Sequence, residues 1–237
     1  MLLPKEELPL IELKNWPPIT LLNVDYKIAS KAIARRIEPT LPHLIHADQT
    51  GFIKGRYIGE NIRLINDLME QTNATKIPGI LLALDFRNAF DTLEWTLIQY
   101  VLQKFNFGEG IRRWVEIFYN DVENTILLLP TGLNLPEELG KVVPFLPLLF
   151  VLSAEVLANK IRQSHLIKGV SLVGNEIKLS QFDDDTNLVC SDLLSVEKAL
   201  QILDDFGDIS GLRLNKEKTQ AMWLGPRANK KVKPLGL

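Results

Sequence analysis

Apolar positions recur at helical spacing from residue 22 to 37, where Tyr26, Ala29, Ile33 and Ile37 form one stripe. Lys27, Lys31 and Arg35 repeat every four residues on another face, and Pro39 stops the run. A second helix is predicted over 59–72 through Ile62, Ile65, Leu68 and Met69. The glycine-bearing segment before it, DQTGFIKGRYIG, reads as a loop. Residues 79–86, GILLALDF, are almost wholly apolar and follow Pro78-Gly79, the pattern of a strand buried on both faces. That strand ends in a charged residue, Asp85. Helices are predicted at 93–105, 109–120 and 147–164, the last through Phe150, Ala154, Leu157 and Ile161. Residues 121–145 read as loop or irregular strand.

Two hairpins follow. Gly169–Val173 and Glu176–Phe182 are β-type runs separated by Gly174-Asn175, a turn dipeptide. Asp183, Asp184 and Asp185 then interrupt the chain, and Thr186–Cys190 resumes a strand, so the second hairpin crowds carboxylates onto its turn. Residues 195–206 are an amphipathic helix that Gly211 ends. Strands and helices mix without βαβ alternation, which predicts an α+β fold with helices packed on one face of a mainly antiparallel sheet.

Composition adds little to this picture and charge adds more. At 237 residues with 46% hydrophobic and 24% charged positions, the chain suits one large domain or two joined lobes, below the about 250–300 residues at which single cores stop growing. The single cysteine, Cys190, excludes an internal disulfide framework and a cysteine-based zinc site, and predicts a reducing, intracellular compartment. No secretion signal is read at the N-terminus, and the apolar run at 142–152 is shorter than the ~20 residues of a membrane span. Cytoplasm and nucleus are not distinguished. Net charge is −2, yet residues 1–63 carry nine basic and seven acidic groups, 64–210 carry 11 and 21, and 211–237 carry seven and one. An acidic centre between basic ends fits a site that gathers divalent cations while its margins hold phosphates. It equally describes a solvated acidic surface with a lysine-rich tail.

The carboxylates carry the chemistry. An ionised aspartate at the end of a buried strand is costly unless paired or bound to metal, and neighbouring aspartates at a tight turn repel unless a cation offsets them. Oxygen donors point to Mg²⁺ or Mn²⁺, and two such ions about 3.5–4 Å apart are a standard device for phosphoryl transfer. Aspartates are also ordinary turn residues, so the residue types alone leave a structural turn, a polymerase-type site and a metal-dependent nuclease or phosphatase open. The nuclease needs a nearby general base, and His43, His46 and His165 all lie away from the aspartates in sequence.

Longer motifs narrow this choice. LDFRNAFDTLEW at 84–95 resembles the first palm motif of reverse transcriptases of non-LTR (LINE-type) retrotransposons, and QFDDDTNLVC at 181–190 resembles their aromatic-x-Asp-Asp hairpin. Residues 15–37 and 48–65 are similar to the fingers segments that precede the palm, and SGLRLNKEKTQAMWLG at 210–225 to the lysine-bearing motif and primer-grip turn that close it. The blocks stand in the family's order and cover about three quarters of the chain.

The resemblance implies an RNA-directed DNA polymerase: a palm at 79–225 beside a mostly helical fingers portion at 1–78, a basic tail at 226–237 and no complete thumb. It implies an RNA template, a DNA primer and deoxynucleoside triphosphates as partners, and two Mg²⁺ or Mn²⁺ ions as cofactors. Asp85, Asp184 and Asp185 become metal ligands, helped by the Phe86 carbonyl. Phe90 becomes the ring beneath the sugar, Lys218 the proton donor to departing pyrophosphate, and Leu224-Gly225 the primer grip. The sequence departs from the family at Pro17, where an arginine is usual, at Val142 and Val143, where polar or small residues are usual, and at Asp183, where a small residue is usual. Those departures motivate an alternative, a truncated or degenerate copy acting at most as a nucleic-acid-binding module.

Overall fold

A computed structural model of the protein describes residues 23–87, 89–90, 92–119 and 144–228. Pro17, Val142, Val143, most of the 121–145 stretch and the basic tail beyond Ala228 lie outside the described residues. The first helix, α1 (Val24–Ile37), leads through a short 3₁₀ turn to α2 (Leu41–Leu44), and α3 (Ile58–Thr75) follows a long loop. Strand β1 (Gly79–Leu84) precedes α4 (Trp95–Lys104) and α5 (Glu109–Tyr119). Helix α6 (Leu146–Gln163) then leads into β2 (Val170–Leu172), β3 (Asn175–Ile177), β4 (Leu179–Phe182) and β5 (Asp185–Cys190). Helix α7 (Leu193–Ser210) and strand β6 (Gln220–Leu224) close the described chain.

The central sheet has the order β4-β5-β1-β6, and every neighbouring pair is antiparallel. The all-apolar β1 takes a central place because it presents apolar residues to both faces along its whole length. Ile80, Leu82 and Leu84 join Leu188, Cys190 and Ala221 in the main core, under α4, α6 and α7. Leu81, Val189 and Leu224 face the other way, onto Leu68 of α3 and Val170 of β2. Completely burying one such leucine contributes about 1.5–3 kcal/mol. The main core also takes in Ile33, Ile37 and Leu41, so apolar packing is continuous from the helical N-terminal part into the sheet. Cys190 is fully buried in it, and that burial pushes its thiol up to about 12. The cysteine is packing, not chemistry.

Most predicted elements form, with three differences in the strands and one in a helix. The run from Glu176 to Phe182 is divided at Lys178, whose buried ammonium donates to the carbonyls of Arg162 and Ser164, so that β3 pairs with β2 while β4 joins the central sheet. The first hairpin turns one residue earlier than predicted, at Val173-Gly174, both with positive φ. Third, Gln220–Leu224 forms an edge strand that the sequence pattern did not announce. Helix α7 extends beyond 195–206 because Asp192 caps it, accepting from the Ser195 N–H at 2.8 Å, and Gly211 ends it at φ 77°. Among the described residues no helix is long and apolar enough to cross a membrane.

Candidate active site on the open face of the sheet

The antiparallel register determines which acidic residues meet. Along β1 and β5 the partners run from Ile80↔Cys190 to Leu84↔Thr186, so the next step places Asp85 opposite Asp185. Side chains alternate in a strand. Asp85 and Asp185 therefore fall on the face of Leu81, Ala83, Asn187 and Val189, not on the core face. That face is covered by α3 near Leu81, Val189 and Leu224, and at the β4 edge, where Asn61 of α3 donates to Ser180 Oγ. Toward the aspartates it is open: Ala83, Asp185 and Gln220 are exposed, and Asp85 and Asn187 are half-buried.

Asp183 and Asp184 form the two-residue turn between β4 and β5, closed by the Phe182↔Asp185 pair. Asp183 has φ 54°, a value glycine adopts more readily in such a turn. Partial burial, then the charge of Asp184, then that of Asp85 raise the Asp185 carboxyl above its ordinary value. Asp183 is raised likewise by burial and by its two acidic neighbours. Asp85 and Asp185 thus interact electrostatically across the strands, and the cluster has negative charge that nothing among the described residues neutralises in place. No three His, Cys, Asp or Glu side chains among the described residues converge as a ready-made metal cage. The carboxylates have the donor chemistry and sign for a divalent cation, without being drawn around one.

The remaining predicted site residues fall into two groups. Phe86 is buried and bridges to Leu214, and the Asn215 N–H donates to the Asp85 carbonyl at 2.7 Å. Lys218 is exposed in the turn that runs from Asn215 into β6, the turn whose Asn215 backbone binds the Asp85 carbonyl. Phe90 is half-buried, with its ring 4.9 Å from that of Phe150 and edge-on to Phe52 at 6.2 Å. Leu224 stands apart: it pairs with Gly79, at the end of β1 away from Asp85, roughly 20 Å along the strand. Gly225 follows at φ 64°, packed so tightly that a Cβ would lie 2.5 Å from the Ile77 carbonyl oxygen.

Sequence reasoning missed a polar cluster beside the aspartate turn. Gln49, Thr50, Asn61, Ser180 and Gln181 are all buried, and the Asn61 amide donates to the Gln181 carbonyl and to Ser180 Oγ, both at 2.9 Å. Next to it Arg162 binds both Asp48 oxygens at 2.7 and 2.8 Å and also pairs with Glu155. Buried polar residues have no periodicity, so only the glutamine and glycine inside DQTGF hinted at them. An open cleft of about 720 Å³ adjoins the turn, lined by Lys31, Phe52, Lys54, Tyr57, Pro147 and Asp183 among others.

Residues 3–237 match the family model described as "Reverse transcriptase (RNA-dependent DNA polymerase)". The chain belongs to the reverse transcriptase family. Its relatives are non-LTR retrotransposon proteins, as the motifs at 84–95 and 181–190 predicted. The "Transposon TX1 uncharacterized 149 kDa protein" of Xenopus laevis is 32% identical over 231 residues, covering 94% of this chain and 17% of that protein. The "Retrovirus-related Pol polyprotein from type-1 retrotransposable element R2" of Popillia japonica is 24% identical over 210 residues, covering 86% of the chain and 29% of the polyprotein. The reverse transcriptase chain thus spans less than a third of either relative. Solved telomerases from Candida albicans and Candida tropicalis align at 11% and 14% identity with TM-scores of 0.47 and 0.46, over 84% and 90% of this chain and 33% and 45% of theirs. At those scores the likeness adds nothing to the family match.

Proposed function

We propose that this chain extends a DNA primer on an RNA template, taking deoxynucleoside triphosphates, with Asp85, Asp184, Asp185 and the Phe86 carbonyl as ligands of two Mg²⁺ or Mn²⁺ ions. The supporting observation is the β1–β5 register, which brings Asp85 next to the Asp184-Asp185 turn on the open half of the sheet. Two divalent ions supply activation of an attacking hydroxyl and charge neutralisation on the triphosphate and leaving group. Lys218, exposed in the turn before β6, donates a proton to the departing pyrophosphate. Phe90, whose ring packs on those of Phe150 and Phe52, lies beneath the sugar. The Leu224-Gly225 turn, buried at the end of β1 away from Asp85, is the proposed primer grip. The parts divide as a fingers portion at 1–78, a palm at 79–225 and a basic tail at 226–237.

A nucleic-acid partner has independent support. The cleft beside the turn combines exposed rings, Phe52 and Tyr57, with Lys31 and Lys54, the combination that binds single strands through stacking and backbone charge. One feature favours the alternative of a binding module without useful catalysis: Asp183 adds a carboxylate at a strained turn where the family keeps a small residue. Primer extension with Mg²⁺ or Mn²⁺ on an RNA template decides between them. Extension that Asp185→Asn lowers about a thousandfold, roughly 4 kcal/mol, supports the polymerase. Template binding with no extension by the unaltered chain supports the module.

A further inference from the structure

The turn that carries Asp184 and Asp185 is not held by its own hairpin alone. Residues 48–51 run beside β4 in the parallel sense, with Gln49 bridged to Gln181. The Gln181 N–H donates to the Asp48 carbonyl at 2.7 Å, and the Thr50 N–H donates to the Gln181 carbonyl at 2.9 Å. The Gln49 side chain then extends this pairing past the strand end. Its Nε2 donates to the Asp183 carbonyl at 3.2 Å, while its Oε1 accepts from the Gly51 N–H at 2.8 Å. Gln49 is only 1% exposed, so water has little access to replace these bonds.

Gly51 explains how the two segments come so close. A Cβ at this position would lie 2.1 Å from the Asp183 backbone nitrogen, so any larger residue must push the turn away. Asp183 itself sits at positive φ, a conformation that persists when its surroundings over-determine it. The 48–51 segment is in turn anchored at its start by the Arg162–Asp48 pair and by Arg56, whose guanidinium donates to the carbonyls of Ile45, His46 and Gln49. This chain of bonds ties α6 and the loop before α3 to the aspartate turn.

We infer that Gln49 and Gly51 are positioning residues for the Asp184-Asp185 pair: the edge segment, clamped to α6, sets where those carboxylates stand relative to Asp85. The inference rests on the metal-site reading proposed above, but the brace itself is a separate physical object. Neither residue reaches the open half of the sheet, so both act through Asp183.

Two measurements on the 237-residue chain test it: amide hydrogen exchange, and Mn²⁺ titration followed by electron paramagnetic resonance. Gln49→Ala is expected to speed exchange of the amides at 183–186 about tenfold, the loss of one hydrogen bond, while the amides of β1 keep their rates. The same variant is expected to weaken Mn²⁺ binding ~10-fold, the usual effect of removing a group that orients a metal ligand. Gly51→Ala should weaken it further, and if that variant does not fold, Gln49→Ala alone decides. Unchanged exchange at 183–186 together with unchanged Mn²⁺ affinity in Gln49→Ala would overturn the inference. Asp185→Asn separates the two readings. If Mn²⁺ affinity is indifferent to Asp185→Asn, the metal-site reading fails, and exchange at 183–186 still decides whether the brace exists.

Discussion

The two faces of the central sheet are built from the same four strands and have opposite characters. On the core face Ile80, Leu82, Leu84, Leu188 and Cys190 are all buried under helices. On the other face the alternate residues begin apolar, at Leu81 and Val189, and turn polar toward Ala83, Asn187, Asp85 and Asp185. The core face is uniform because its task is packing. The second face changes character along its length because α3 covers one end and the β4 edge. The lesson is that period-2 alternation supplies the frame, while the chemistry sits where an apolar face stops being covered. Like charges placed opposite one another on such a face destabilise it, which is the physical ground for the cation proposed at the open half.

Four expected outcomes probe this contrast. The largest concerns the edge that supports the open half. Arg162→Ala removes the guanidinium from the buried Glu155 and from Asp48, leaving both with only His46 beside them among the described residues, which should cost about 3–5 kcal/mol in denaturant unfolding. A loss under 1 kcal/mol would mean that the loop before α3 is held by other bonds. Next, Leu82→Ala on the core face should cost about 3 kcal/mol and leave Mn²⁺ affinity as it was. If metal binding fell as far as stability did, the two faces would not be separable. Asp183→Gly should stabilise the metal-free chain by roughly 1 kcal/mol, since it relieves both positive φ and a like charge. Destabilisation would instead make the Asp183 side chain part of the structure.

The smallest expected effect is the pH dependence of the open half. Asp183 and Asp185 have folded-state pKa values above the ordinary 3.8. A raised folded pKa favours the protonated fold, so these groups stabilise the metal-free chain below 3.8 and that stability is lost as pH rises through the folded values. The advantage of Asp185→Asn over the unaltered chain, measured by urea midpoints, should therefore shrink as pH falls from neutral to about 4. A constant difference would show that Asp185 titrates as an ordinary surface aspartate.

Much of this frame was legible in sequence. The run GILLAL announces a central strand because both alternating sets of positions are apolar, and three consecutive aspartates between two β-type runs announce a charged turn. The motifs that resembled the family's palm joined Asp85 and that turn in one proposed site, and the β1–β5 register leaves Asp85 opposite Asp185. What stayed hidden had physical reasons. Lys178 looks like an interior strand residue, but its buried ammonium caps carbonyls after α6 and splits the strand in two. Strand β6, QAMWL, is a short edge strand whose residues suit many conformations. Gln49, Asn61 and Gln181 are buried by hydrogen bonding, which leaves no hydrophobic trace. The distance of Leu224 from Asp85 follows from register, and register is absent from a motif.

Asp85 and Asp185 face one another, and the divalent cation proposed between them is tested most directly by one measurement: the unfolding free energy of the unaltered chain, Asp85→Asn, Asp185→Asn and the double variant, with and without saturating Mn²⁺. Without the ion each single substitution should stabilise by roughly 0.5 kcal/mol, the size of a cross-strand like-charge pair, and the second substitution should add less than the first. With Mn²⁺ each should destabilise instead, and the double variant should lose little more than either single one. Effects that add independently and keep the same sign in both conditions would contradict a shared site.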